Sequence, residues 1–126
     1  MFRHLLLVAL LGSATNVMAE SCTRPTAQLD IPDGQTATES AMIAASDDVR
    51  QFVGNGQTYV DCLQTQMDAA KLIVDQANTP GNEAAHEAAN KEYLALIQKH
   101  DSMVGEMKAR ASDFNDALRA YKARAN

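Results

Sequence analysis

A first long stretch of the chain carries apolar residues at a spacing of three or four, which places them on one face of an α-helix. The row comprises Met42, Ala45, Val49, Phe52, Gly56, Tyr59, Leu63, Ala70, Ile73 and Ala77. A second row, with members seven residues apart, comprises Val53, Val60, Met67 and Val74. Two adjacent rows form a stripe wide enough to contact more than one neighbour. The pattern predicts a helix over residues 37–77.

A second stretch shows the same helical spacing and keeps its phase through Gly105. Its apolar face comprises Ala89, Tyr93, Leu96, Ile97, His100, Met103, Val104, Met107, Ala111, Phe114, Leu118 and Tyr121. This row predicts a second helix over residues 80–123. At 1.5 Å per residue, each helix would be on the order of 60 Å long.

The residues at the predicted helix starts carry capping signals. Thr36 and Glu39 have the spacing of a capping box, in which each side chain binds the other residue's backbone N–H. Thr79 suits the N-cap of the second helix, and Pro80 suits its first position. Because the connection is short, the two helices must pack antiparallel. The sequence predicts an all-α fold, a long antiparallel two-helix hairpin of the coiled-coil kind, over residues 37–126.

The segment Gly54-Asn55-Gly56 is the weak point of the first helix. Each glycine costs roughly 1 kcal/mol relative to alanine in a helix interior. The apolar stripe nevertheless resumes in phase beyond them. The pattern leaves open whether the helix is kinked or broken there.

The chain begins with an apolar run, Leu5 to Leu11, behind a single basic residue, Arg3. Small and polar residues follow this run up to Ala19. Such a layout is typical of a secretory signal peptide, here over residues 1–19. The run is much shorter than the roughly 20 residues that a membrane-spanning helix needs, so we expect no stable membrane anchor. We expect cleavage after Ala19 and a periplasmic or secreted protein.

Residues 20–36 follow the signal peptide and read as an extended arm. Pro25, Pro32 and the turn signal Asp33-Gly34 prevent a continuous helix in this segment. Leu29 and Ile31 are the apolar residues with which the arm could cover the outer row of the hairpin.

Two cysteines, Cys22 in the arm and Cys62 in the first helix, permit one intramolecular disulfide. Export favours that bridge over two free thiols or a disulfide-linked dimer. Cys62 lies roughly 110° from the centre of the apolar stripe, on its flank. To reach Cys62, the arm must double back along the helix. The distance from Thr36 to Cys62 along the helix is about 39 Å, and the roughly 14 arm residues between Cys22 and Thr36 span about 46 Å when fully extended. The arm therefore reaches Cys62 only if it is nearly extended. The disulfide would pin the arm antiparallel to the helix.

The charge balance narrows the class of partner. The chain carries 16 acidic residues against 11 basic ones, a formal net charge of −5, and removal of Arg3 with the signal peptide makes it more acidic. Such a surface repels nucleic acid and anionic lipid, so we expect neither as a partner. A mature chain of this length forms a single domain.

Candidate chemistry is sparse. His100 lies within the apolar face and, with Met103 and Met107, is a weak candidate set for a soft metal such as copper. More often, a histidine in such a position is a hydrogen-bonded core residue, and methionines at core spacing contribute to packing. Glu83 and His86 have the Glu-x-x-His spacing of di-iron ligands, but a single copy does not make a site. The sequence predicts no catalytic residue, metal site or cofactor.

These features predict a non-catalytic exported protein, a structural or protein-interaction module. Two helices with double apolar rows have more apolar surface than one hairpin buries, which favours a protein partner or self-association unless the arm covers the excess. The alternatives are a periplasmic carrier of a small molecule or metal and a chaperone-like helical binder. An enzyme is disfavoured because a two-helix hairpin offers little concavity for a cleft.

Overall fold

The computed structural model of the protein describes residues 21–26 and 28–124. The predicted signal peptide and its cleavage after Ala19 lie outside these residues. Two long helices, α1 (Glu39–Ala77) and α2 (Glu83–Arg124), pack against each other, and the described residues contain no strand. The predicted all-α hairpin with a disulfide-pinned arm is confirmed. Neither helix is long and apolar enough to cross a membrane, within the part of the chain that the structure describes.

Helix α1 begins at Glu39, two residues later than predicted, and its N-cap is Thr38 rather than Thr36. The Thr38 hydroxyl accepts a hydrogen bond from the Ala41 N–H at 3.1 Å. The start is delayed because a turn precedes the helix, where the Thr36 N–H donates to the Asp33 carbonyl at 3.1 Å. The predicted Thr36–Glu39 capping box is therefore wrong, although a threonine still caps the helix.

Helix α1 runs without a break through the two glycines. Gly56 is buried against α2, and a Cβ atom at this position would lie 2.5 Å from Met107 Sδ and 2.8 Å from Met103 Cε. A Cβ atom at Gly54 would have no neighbour within 4 Å. The missing side chain at Gly56 therefore lets the two helices approach closely, and it compensates for the poor helix propensity of glycine.

Helix α2 begins at Glu83, three residues later than predicted, because the preceding residues form a turn. Gly81 has φ +84°, a left-handed conformation that glycine adopts readily. Thr79 does not cap the helix through its side chain; its carbonyl accepts the Asn82 N–H at 3.1 Å. The Asn82 carbonyl accepts the His86 N–H at 3.0 Å, the first hydrogen bond of α2. Pro80 therefore lies in the turn rather than in the helix.

The apolar core is concentrated around the middle of the hairpin. Its buried cluster comprises Phe52, Tyr59, Val60, Leu63, Met103 and Met107. Cys22 and Leu29 of the arm are half-buried and pack against this cluster. Beyond Leu63, towards the turn, the buried residues of α1 are only Ala70 and Ala77, whose side chains are small. The core is therefore thick where the arm lies and thin near the turn.

Candidate interaction surface

The arm is held at its beginning by the predicted disulfide. Cys22 and Cys62, 40 residues apart in sequence, are bonded with a Cα–Cα distance of 5.7 Å, and neither cysteine of the chain is free. Cys62 is half-buried, as its predicted position on the flank of the apolar stripe requires. The bridge attaches the first residues of the arm near the middle of α1.

The arm also contacts α2 near the same level. The Arg24 guanidinium donates to Glu106 Oε2 at 2.6 Å and to the Ser102 hydroxyl at 3.3 Å. Arg24 and Glu106 are both half-buried, so this ion pair is less screened by water than one on an open surface. Since Cys22 binds α1 and Arg24 binds α2, the arm lies across the groove between the two helices.

The far end of the arm is held against the end of α2. Gly34 is buried there, and a Cβ atom in its place would overlap the Ala117 carbonyl oxygen. The Arg124 guanidinium donates to the carbonyl oxygens of Gln35, at 3.1 Å, and Ala37. These contacts show that the arm runs from Cys62 to the N-terminal end of α1 and the C-terminal end of α2. It is antiparallel to α1, as predicted.

The arm divides the hairpin into two halves. We call residues 39–62 and 102–124 the arm-covered half, and residues 63–101, which include the turn, the tip half. Among residues 21–26 and 28–124, four large apolar side chains are the most exposed, and three of them belong to the tip half: Leu72 at 62%, Ile73 at 56% and Leu94 at 51%. The fourth, Ile43 at 57%, belongs to the arm-covered half. The arm does not reach the excess apolar surface near the turn.

One open groove in the tip half lies between the two helices. It has a volume of about 260 Å³ and is lined by Gln66, Ala69, Ala70, Ile73, Ala89, Glu92 and Leu96. Apart from Gln66 and Glu92 these side chains are alanine, isoleucine and leucine, so the walls are mainly apolar. The groove is thus a concave apolar surface that the arm leaves uncovered.

The candidate metal-binding residues have other contacts. His100 is half-buried, and its Nδ1 atom lies 3.0 Å from Asp101 Oδ1. Met103 is fully buried, and Met107 packs beside it against Gly56. No group of three or more His, Cys, Asp or Glu side chains within the described residues could hold a metal ion. Met103 and Met107 both belong to the buried core cluster.

Glu83 has a capping role in the structure. Its carboxylate accepts a hydrogen bond from the Gly81 N–H at 3.1 Å. Hydrogen bonds from the backbone N–H groups of Glu83 and Gly81 lower the pKa of the carboxyl group. A negative charge at the first turn of α2 also suits the helix dipole. Glu83 thus stabilises the start of α2, a role that its Glu-x-x-His spacing with His86 does not indicate.

Fold and surface together define the class of protein. It is a helical hairpin with a disulfide-pinned arm, which covers the groove between the helices in one half and leaves it open in the other. Comparison with protein-family models, with curated protein sequences and with solved structures returns no match for this chain.

Proposed function

We propose that the protein is an exported, non-catalytic interaction module that binds a protein partner through the tip half of its hairpin. The observation that carries this proposal is the exposure of Leu72, Ile73 and Leu94 in the half that the arm leaves uncovered. Ile73 also lines the open groove, and exposed apolar surface at a groove is typical of protein-binding sites. The rigid hairpin would present this surface at one end and the disulfide-pinned arm at the other.

Two observations support export to the periplasm or the cell exterior. The disulfide between Cys22 and Cys62 is of a kind that persists in oxidising compartments and is rare in the cytosol. The first 19 residues have the layout of a signal peptide. In such a compartment the disulfide stays oxidised and keeps the arm in place.

The non-catalytic part of the proposal is supported by the state of the ionisable groups. The described residues bury no polar or charged side chain. Catalytic acids, bases and nucleophiles are usually tuned by burial or by neighbouring charges in a cleft. The pKa of Lys71 is raised by its hydrogen bond to Asp75, and the pKa of Glu83 is lowered by backbone hydrogen bonds; both groups are exposed and their partners lie nearby in the chain. These groups suit a stabilising role.

The test is a comparison of partner capture by three forms of the protein. Replacement of Leu72, Ile73 and Leu94 together by Glu removes the apolar surface of the tip half. The matched control is Ile43→Glu, which removes an equally exposed apolar side chain from the arm-covered half. We expect wild type and the Ile43→Glu variant to capture the same partner from the periplasmic or secreted fraction, and the triple variant to lose it. Equal capture by all three forms would contradict the proposal.

A further inference from the structure

The groove that holds the arm continues past Cys62 into the tip half. On α1, the residues that line the depressions beside the arm are Asp48, Gln51, Phe52, Asn55, Thr58, Tyr59 and Cys62. The same three-and-four spacing then leads to Gln66, Ala69 and Ile73, which line the open groove. We call this continuous channel the arm-side groove.

The α2 wall of the arm-side groove is continuous in the same way. Beside the arm it includes Ala117, Arg110 and Glu106. In the tip half it includes Leu96 and Glu92. Glu92 lies about four helical turns before Glu106, so both carboxylates project on the same side of α2.

The arm shows what kind of chain this groove accepts. Its residues are extended rather than helical, Leu29 packs onto the core cluster, and Ile31, two residues further on, is half-buried. Side chains two apart point to the same side of an extended chain. Arg24 adds an ion pair with the α2 wall through Glu106. An extended segment with alternate apolar residues and one basic residue therefore fits the groove.

We propose that the open stretch of the arm-side groove binds an extended segment of a partner protein, with apolar side chains at alternate positions and a basic residue that pairs with Glu92. This inference rests on the proposed interaction function and specifies its ligand. The open stretch continues an interface that an extended chain already fills, and its α2 wall carries the carboxylate of Glu92, as the wall beside the arm carries that of Glu106, which binds Arg24.

The size of the open stretch limits the length of the bound segment. From Gln66 to Ile73 the helix rises by about 10 Å, at 1.5 Å per residue. An extended chain covers that distance with about three residues, at 3.2–3.4 Å each. The groove would therefore take about two apolar side chains, at positions i and i+2. This short motif differs from an amphipathic helix, whose contacts recur at three and four.

A phage-displayed library of random dodecapeptides, selected on the disulfide-intact protein, tests the proposal. We expect the selected peptides to carry apolar residues two apart and a nearby Lys or Arg. Ile73→Glu should weaken their binding by at least about tenfold, because an apolar contact is replaced by a charge. Ile43→Glu is the matched control: it adds the same charge in place of a nearly equally exposed isoleucine that lies in the arm-covered half and does not line the groove. It should leave binding within about twofold.

A second variant tests the ion pair. Glu92→Lys should weaken binding of the selected basic peptides by about fivefold or more, since it replaces an attraction by a repulsion. It should not weaken peptides in which the basic residue is replaced by Gln. Equal effects on both sets of peptides would overturn the pairing with Glu92.

Other occupants of the groove give different results. Selected peptides with apolar residues at three-and-four spacing, or peptides sensitive to Ile43→Glu and not to Ile73→Glu, would overturn an extended ligand in this groove. A wild-type dimer in light scattering that becomes a monomer in the Ile73→Glu variant would assign the groove to a second copy. Peptide binding only by the chain that begins at Glu20, and not by the full chain, would assign the groove to residues 1–19. Either assignment overturns the inference.

Failure of this inference is distinguishable from failure of the proposed function. If the triple Glu variant loses its partner while Ile73→Glu alone retains it, the tip half binds partners and the groove assignment is wrong. If the triple variant also retains the partner, both proposals are wrong.

Discussion

Gly56 shows how a single residue has a role that its type does not suggest. Each of the two glycines in α1 lowers the stability of the helix relative to alanine, so helix propensity alone predicts a kink or break there. The structure gives them different surroundings: Gly56 faces Met103 and Met107, whereas a side chain at Gly54 would meet open space. The sequence identified the glycines but not this difference, because the contact joins residues that are far apart in the chain.

The two glycines therefore predict opposite responses to the same substitution. Gly54→Ala should stabilise the protein by roughly 0.5–1 kcal/mol, since it adds helix propensity without a clash. Gly56→Ala gains the same propensity but crowds two core methionines, and overpacking typically costs about 1–3 kcal/mol. In urea unfolding, the Gly56→Ala variant should be less stable than the Gly54→Ala variant by that amount. Equal stability of the two variants would contradict this prediction, because it would show that Met103 and Met107 rearrange around the added methyl group without loss of stability.

Glu83 gives a pH-dependent prediction at the same scale. Because hydrogen bonds lower the pKa of its folded carboxyl group, the group contributes stability above the pKa it has in the unfolded chain. That contribution is lost as the pH falls through the folded pKa. Wild type should therefore melt at a higher temperature than Glu83→Gln at pH 7, and the difference should disappear in strong acid. A difference that does not change from pH 7 to pH 2 would contradict the capping role.

At the scale of elements, the sequence predicted the two helices, their antiparallel packing, the disulfide and the direction of the arm. Apolar periodicity and the single cysteine pairing were sufficient for these features. The helix starts were displaced because turn hydrogen bonds compete with capping signals at Thr36 and Thr79. The Arg24–Glu106 pair and the close approach of Gly34 to α2 were not predicted. Contacts between an arm and a distant helix leave no periodic pattern in sequence.

At this scale, we predict how the protein responds when the disulfide of the arm is removed. Replacement of both Cys22 and Cys62 by Ser removes the link that closes a loop of 40 residues. We expect a loss of roughly 2–4 kcal/mol in the free energy of unfolding, chiefly because the unfolded chain gains freedom. The helical circular dichroism signal at low temperature should be largely retained, because α1 and α2 pack without the disulfide.

Release of the arm in this variant should also expose the apolar surface under Leu29. Binding of an apolar dye and hydrogen exchange in the arm-covered half should therefore increase. A double variant with unchanged melting temperature and unchanged dye binding would show that the disulfide does not hold the arm in place.

At the scale of the whole molecule, the two halves of the hairpin differ in what covers them. The sequence predicted an excess of apolar surface and left open whether the arm covers it. The structure shows that the arm covers the groove from Cys62 to the helix ends and leaves the tip half open. This asymmetry, rather than any cluster of reactive groups, is the feature on which the functional account depends.

Photo-cross-linking in the cell tests this account most directly. A photoactivatable amino acid is introduced at Ile73 in the tip half or at Ile43 in the arm-covered half, two side chains of nearly equal exposure. After irradiation of intact cells, the account predicts an adduct with a partner protein at position 73 and none at position 43. Adducts of the same mass at both positions, or an adduct at position 43 alone, would contradict it.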